Sequence, residues 1–270
     1  MLKYNLLAIS LLWLIVPSDQ RSNSFYFNSL KTSVGGPTDF DYLIFRQIWP
    51  ASSCMFPGPN TCTIDPVIST WVVHGLWPSI KTEIGPSFCN KSVPFDFGTV
   101  KWLLPELLQY WPNLYTNTPL ESFWKHEWEK HGTCALTLPQ IQDQSDYFNV
   151  TLGLRNKFDF GPALKKLNIE PDDKLLYDLD KIKYAIRNYF RVEPMIVCYV
   201  LKDSDVQYLS QMQVCLSKDF QLVDCEFKAI ELAKIAIDNK AQEIQCQPGI
   251  PIHYPTIKYT KSQLFKFKQN

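Results

Sequence analysis

Residues 123 to 134 read FWKHEWEKHGTC and residues 71 to 79 read WVVHGLWPS, so three of the chain's four histidines fall in two short aromatic-rich segments. On an ideal helix with His126 at zero, Lys130 lies at about 40°, Phe123 at about 60°, Glu127 at about 100° and His131 at about 140°. One sector therefore holds two imidazoles, a carboxylate and an ammonium group. Trp124 and Trp128 fall just beyond it and are expected to anchor the helix in the core. Lys125 and Glu129 form an exposed i,i+4 pair on the remaining face. Gly132 is expected to stop the helix, because glycine takes the left-handed cap conformation without strain.

Two histidines that share a metal on one helix stand at i,i+4, as in H-E-x-x-H. Here H-E-W-E-K-H sets them at i,i+5 with Lys130 between, which argues against a zinc site. Burying four ionisable groups on one face without a use is costly. Two imidazoles facing one substrate suit phosphodiester transfer: with ordinary pKa values of about 6.5, one accepts a proton while the other donates one. Negative charge developing on a pentacoordinate phosphorus would be stabilised by a lysine or imidazolium. The set fits cleavage of RNA, with the 2′-hydroxyl as internal nucleophile and neither metal nor organic cofactor. DNA lacks that hydroxyl and is not expected to react. The residues alone leave open which of His74 and His131 is the base. His253, in PIHYP, has no acidic or basic neighbour and reads as structural.

The elements that must carry these groups are legible in outline. Phe40 to Ile48 alternates as a strand, and Thr70 to Val73 forms a β-branched run leading into His74. Val100, Leu103, Leu104, Leu107, Leu108 and Trp111 give a helical stripe, expected to break or restart at Pro105. Further helices are expected over 145–156 and 179–190, and strands over 195–201, 206–216 and 220–225. Residues 229–245 read equally as helix or irregular insertion. The sum is an α+β domain built on a central antiparallel sheet flanked by helices.

Lys3 followed by the apolar run Leu6 to Val16 has the form of a secretory signal peptide, residues 1–18, with cleavage near Ser18 or as late as Ser24. The run is too short for a membrane span of roughly 20 residues. Removal of 1–18 leaves 26 basic and 27 acidic side chains, so no basic coat draws in a polyanion. Residues 19–270 carry no repeat or linker and read as one domain, with a basic tail from about Lys258. Eight cysteines behind a signal peptide predict disulfides, and the sequons at Asn90 and Asn149 fit the same route.

HGLWPS at 74–79 together with FWKHEWEKHGTC at 123–134 resembles the two active-site segments of the ribonuclease T2 family. The likeness extends to FDYLIFRQIWP, to the cysteine pattern and to IPIHYP, in the manner of the animal secreted and lysosomal branch. It implies that His131 is the general base, His74 the general acid, His126 the phosphate-holding residue, and Glu127 with Lys130 the pair stabilising the transition state. The products would be 2′,3′-cyclic phosphates and then 3′-phosphates. Trp77 and Phe123 match positions that contact nucleobases of single-stranded RNA. Ser79 stands where many members have an aspartate that contacts the base, so no base preference is carried over. The resemblance pairs Cys54 with Cys62, Cys89 with Cys134, Cys198 with Cys246 and Cys215 with Cys225. It implies a monomeric, secreted or lysosomal glycoprotein enzyme; the rival reading is a non-catalytic extracellular RNA-binding or signalling protein on the same fold.

Overall fold

A computed structural model of the chain describes residues 39–81, 85–225, 235–236 and 241–260. The expected signal peptide, residues 261–270 of the basic tail, and most of the ambiguous stretch from Ala229 lie outside the described residues. The described part falls within one compact unit. In chain order its elements are β1 (Tyr42–Ile48), α1 (Pro50–Met55), β2 (Val72–Ser79), α2 (Phe97–Val100), α3 (Leu104–Tyr110) and α4 (Ser122–Glu127). After a π-helical turn (Trp128–Gly132) come α5 (Thr133–Ala135), α6 (Gln144–Lys157), α7 (Phe160–Lys165), β3 (Leu176–Tyr177) and α8 (Leu179–Phe190). The remainder is β4 (Met195–Leu201), β5 (Gln207–Leu216), β6 (Leu222–Val223), β7 (Ile235–Ala236), β8 (Ala241–Gln245) and β9 (Ile252–His253).

The sheet runs β2-β1-β5-β4-β8-β7, and each of these neighbouring pairs is antiparallel, as expected. β9 adds to β5 in parallel, a feature the alternation of residues did not signal. β2 is longer than the β-branched run before His74 implied. It continues through Pro78, which a strand at the edge of the sheet tolerates because no neighbour needs the missing N–H. The strand expected over 220–225 shrinks to β6, two residues long.

The stripe from Val100 to Trp111 is interrupted earlier than Pro105. Residues Lys101–Leu103 form a 3-10 turn, and Pro105 sits in the first turn of α3, where its absent N–H has no intrahelical acceptor to satisfy. α6 and α8 cover the expected ranges, each opened by an aspartate cap, Asp143 or Asp178.

Between helices and sheet lies a core rich in indoles. Trp49, Trp71, Trp111, Trp124 and Trp128 are all fully buried, and each indole N–H finds an acceptor: Pro255 O, Tyr254 Oη, His74 O, Trp111 O and Val93 O respectively. Large rings thus fill the volume without leaving buried donors unpaired. All four expected disulfides are formed. Among the described residues no helix is long and apolar enough to cross a membrane.

Candidate active site

His74 owes its direction to a β-bulge. In the β1–β2 ladder Arg46 pairs with Gly75 and Gln47 with Val73, so His74 is the extra residue. A bulge breaks the strict alternation of a strand and re-aims the side chain it carries. The His74 carbonyl accepts a hydrogen bond from Trp111 Nε1 at 3.1 Å. On the ring, Nδ1 lies 2.7 Å from Gln211 Oε1, an amide acceptor, so Nδ1 carries the hydrogen and Nε2 is the nitrogen left for substrate.

The opposite wall is the FWKHEWEKHGTC segment. α4 carries Phe123, His126 and Glu127, and the π turn carries Lys130 and His131. Gly132 does not stop the helix: it has right-handed φ and ψ of −60° and −40°, and the chain runs on into α5. The glycine serves close packing instead. A Cβ there would sit 2.4 Å from the Trp128 ring and 3.0 Å from Tyr147. Because a π turn bonds i to i+5, residues five apart are brought back toward one side. The His126 and His131 rings lie 6.4 Å apart.

That geometry also corrects the spacing argument against metal. Ligand atoms of His126, Glu127 and His131 all lie within 4.8 Å of one another, so the trio has the proximity a cation would need. The expectation assumed uniform 100° steps, which the π turn does not keep. Lys130 nevertheless remains in the same turn as a like charge. Trp124 and Trp128 anchor the segment as expected, and exposed Lys125 pairs with half-buried Glu129 at 3.9 Å.

Trp77 joins the two walls. Its ring is 4.9 Å from His74, stacks on His131 at 5.0 Å and 24°, and lies under the Arg46 guanidinium at 4.4 Å. Its Nε1–H donates to Glu127 Oε2 at 2.8 Å. This bond passes directly over Gly75, where a Cβ would come within 2.1 Å of Glu127 Oε2 and 2.2 Å of Trp77 Nε1. Gly75→Ala is therefore expected to break the Trp77–Glu127 contact and lower kcat/KM on RNA at least ~10-fold. Unaltered kinetics in this variant would show that the contact is dispensable.

Burial sets the charge state of the site. It holds His74 down at about 3, helped by Arg46, His126 and Lys130 and opposed by the Gln211 hydrogen bond. It holds His131 at about 2, with Lys130, His126, His74 and Arg46 adding repulsion. His131 Nδ1 is itself buried without a hydrogen-bond partner. His126 is also lowered, by burial and Lys130, against Glu129. Glu127, only 1% exposed, is pushed up to about 8 by burial, against Trp77, Lys130 and Arg46. At neutral pH the free site thus presents neutral imidazoles and a protonated carboxyl, with Arg46, lowered to about 10, still cationic. An anionic phosphate would supply the missing counter-charge and restore proton affinity to the rings.

This constellation has recognisable relatives. The model of the Ribonuclease T2 family matches residues 40–225. The chain belongs to the ribonuclease T2 family. It is 36% identical over 221 residues to "Ribonuclease Oy" of Magallana gigas, covering 81% of this chain and 98% of that protein. The crystal structure of human RNase T2 is similar with a TM-score of 0.65 and 34% identity, over 81% of this chain and all of that one. RNase NT in complex with 5′-AMP is similar with a TM-score of 0.64 and 26% identity, again over 81% and 100%. Membership makes this chain an endoribonuclease acting on RNA.

Several residues of this family member's site escaped the sequence reading. Arg46 is 8% exposed, yet a lone cation in the apolar run FDYLIFRQIWP was the available signal. Gln211 and Glu243 carried no signal at all. Ser79, where many members were expected to have an aspartate, turns its hydroxyl onto Trp77 O at 3.0 Å. Phe123 lies 5.9 Å from the His74 ring. Both sequon asparagines are exposed, Asn90 in a turn and Asn149 on α6, although Thr151 of the second sequon is buried.

Proposed function

We propose that the chain cleaves single-stranded RNA without a metal, by attack of the 2′-hydroxyl on the adjacent phosphorus to give 2′,3′-cyclic phosphate and then 3′-phosphate ends. The observation that supports this reading is Trp77 touching both His74 and His131 while donating to Glu127, which gathers two imidazoles and a carboxyl group around one spot. His131, neutral in the free site, removes the 2′-hydroxyl proton. His74, recharged when the phosphate anion arrives, protonates the departing 5′-oxygen from Nε2. His126 holds the phosphate, while protonated Glu127 and Lys130 donate to its non-bridging oxygens as charge builds there. The depressed imidazoles favour work in the acidic range, where His74 is more readily protonated.

A cavity of about 320 Å3 beside His74, lined by Ile48, Asn113, Tyr115 and Phe123 among others, suits an unstacked nucleobase. Such a base is available in single strands and not within a duplex. We assign Trp77 to holding His131 and Glu127 in place, and Phe123 to the base. The enzyme is a monomer of the secretory pathway, secreted or lysosomal, glycosylated at Asn90 and Asn149.

Purified protein is expected to cut polyuridylate in the presence of EDTA, leaving 2′,3′-cyclic phosphate ends, and to leave poly-2′-deoxyuridylate intact. Loss of activity on chelation, or scission of the deoxy polymer, would refute the mechanism. Binding of polyuridylate with no cleavage would favour the non-catalytic alternative.

A further inference from the structure

Gln211 reaches His74 across one strand and Glu243 across another. β5, which carries Gln211, is separated from β2 by β1 and from β8 by β4. Strands two apart lie roughly 10 Å from each other, so contacts between them need long side chains and a local departure from the regular pleat. Two bulges supply it. One is at His74; the other skips Ser210, because Val197 pairs with Gln211 and Cys198 with Leu209. Consecutive residues on a regular strand point to opposite faces, yet Ser210 and Gln211 both donate to Glu243 Oε1, from Ser210 Oγ and, at 2.6 Å, from Gln211 Nε2.

The chain of contacts has a direction. A carboxylate only accepts hydrogen bonds, so Glu243 must face the NH2 end of the Gln211 amide and leave its carbonyl toward His74. Turned the other way, the amide oxygen would meet the carboxylate oxygen, and its NH2 would compete for the Nδ1 lone pair. The imidazole would then carry its hydrogen on Nε2 when neutral, and the wrong nitrogen would be held. Glu243 is 9% exposed, and it lies on β8, which Cys198–Cys246 ties to β4.

We infer that Glu243 is a positioning residue, acting through Gln211 to fix the tautomer and aim of the His74 imidazole so that Nε2 carries the proton to the leaving group. This rests on the assignment of His74 as general acid. The contribution is therefore needed only when the leaving oxygen requires a proton. A dinucleoside monophosphate requires one; a nucleoside 3′-(4-nitrophenyl) phosphate with the same base does not, because 4-nitrophenolate departs unprotonated.

The test compares kcat on these two substrates for wild type, Glu243→Leu, Glu243→Gln, Gln211→Leu and His74→Ala, with melting curves to establish folding. In Glu243→Leu and Gln211→Leu the ratio of dinucleotide to aryl-ester rate is expected to fall about 10-fold or more. Glu243→Gln, which keeps an acceptor for Gln211, should restore much of it. Equal losses on both substrates, a shift in base preference alone, or no loss would overturn the inference while His74→Ala still shows the selective loss. If His74→Ala itself loses both rates equally, the general-acid assignment fails, and the relay with it.

Discussion

Replacing His131 with phenylalanine should lower RNA cleavage at least ~10³-fold and leave the protein folded. The loss follows from removing the proton acceptor for the 2′-hydroxyl, since no other neutral imidazole stacks on Trp77. The fold should survive because the replacement preserves the packing. A phenyl ring can occupy the same stack, 5.0 Å from Trp77, and His131 Nδ1 gives up no hydrogen bond when it goes. Stability should even improve in acid. The folded ring is held at about 2, whereas the unfolded one titrates near 6.5, so between these values the unfolded chain binds the extra proton. Wild type therefore loses stability as pH falls below about 6.5, and His131→Phe escapes that part of the loss. Thermal melts at pH 5 and pH 8, alongside an RNA hydrolysis assay, separate the two effects: the variant should melt higher than wild type at pH 5 and within a degree or two at pH 8. A variant that cleaves within ~10-fold of wild type would remove His131 from the role of base.

What could be read from the chain and what could not divide along a physical line. Side-chain type and local periodicity announced β1, as an apolar and aromatic run that is buried along most of its length, and α6 and α8, each opened by an aspartate cap just before it in sequence. The histidines and Glu127 were conspicuous because four ionisable groups among tryptophans have no inexpensive structural explanation. Direction was not legible. The bulge that turns His74 arises from the ladder with β1, some 30 residues away, and the π turn that carries His131 packs Gly132 closely against Tyr147 of another helix. Both departures break the ideal periods from which the sequence was read, and one of them undid the argument from i,i+5 spacing. Gln211 meets His74, and Glu243 meets Gln211, only after the sheet has formed, and Glu243 lies on β8 in a stretch that the sequence reading took as helix or irregular insertion, not as a strand. Pairings of cysteines had the same difficulty: the family resemblance named them, while the residues themselves did not.

Glu127→Gln should raise stability at alkaline pH and reshape the pH dependence of catalysis. Glu127 is held at about 8 in the folded protein and would titrate near 4.5 when unfolded, so between these values the folded chain keeps a proton that the unfolded chain releases. Stability therefore falls as pH rises from about 4.5, and the full penalty is present above about 8. An amide has no proton to lose, so the variant should match wild type near pH 4 and exceed it near pH 8 by on the order of a few kcal/mol. Denaturant unfolding at the two pH values measures the difference. On the catalytic side, the amide oxygen can accept from Trp77 Nε1 while its NH2 faces the phosphate, so Glu127→Gln should keep a substantial part of the rate. Glu127→Ala, with no donor left, should lose roughly 10²–10³-fold. The two halves of the prediction constrain each other. If Glu127→Gln unfolds in parallel with wild type at every pH, the carboxyl is ionised in the folded protein, and an anion pressed against a phosphate repels the charge that the transition state develops. Stabilisation of that charge by Glu127 requires the proton that burial, opposed by Trp77, Lys130 and Arg46, keeps on it.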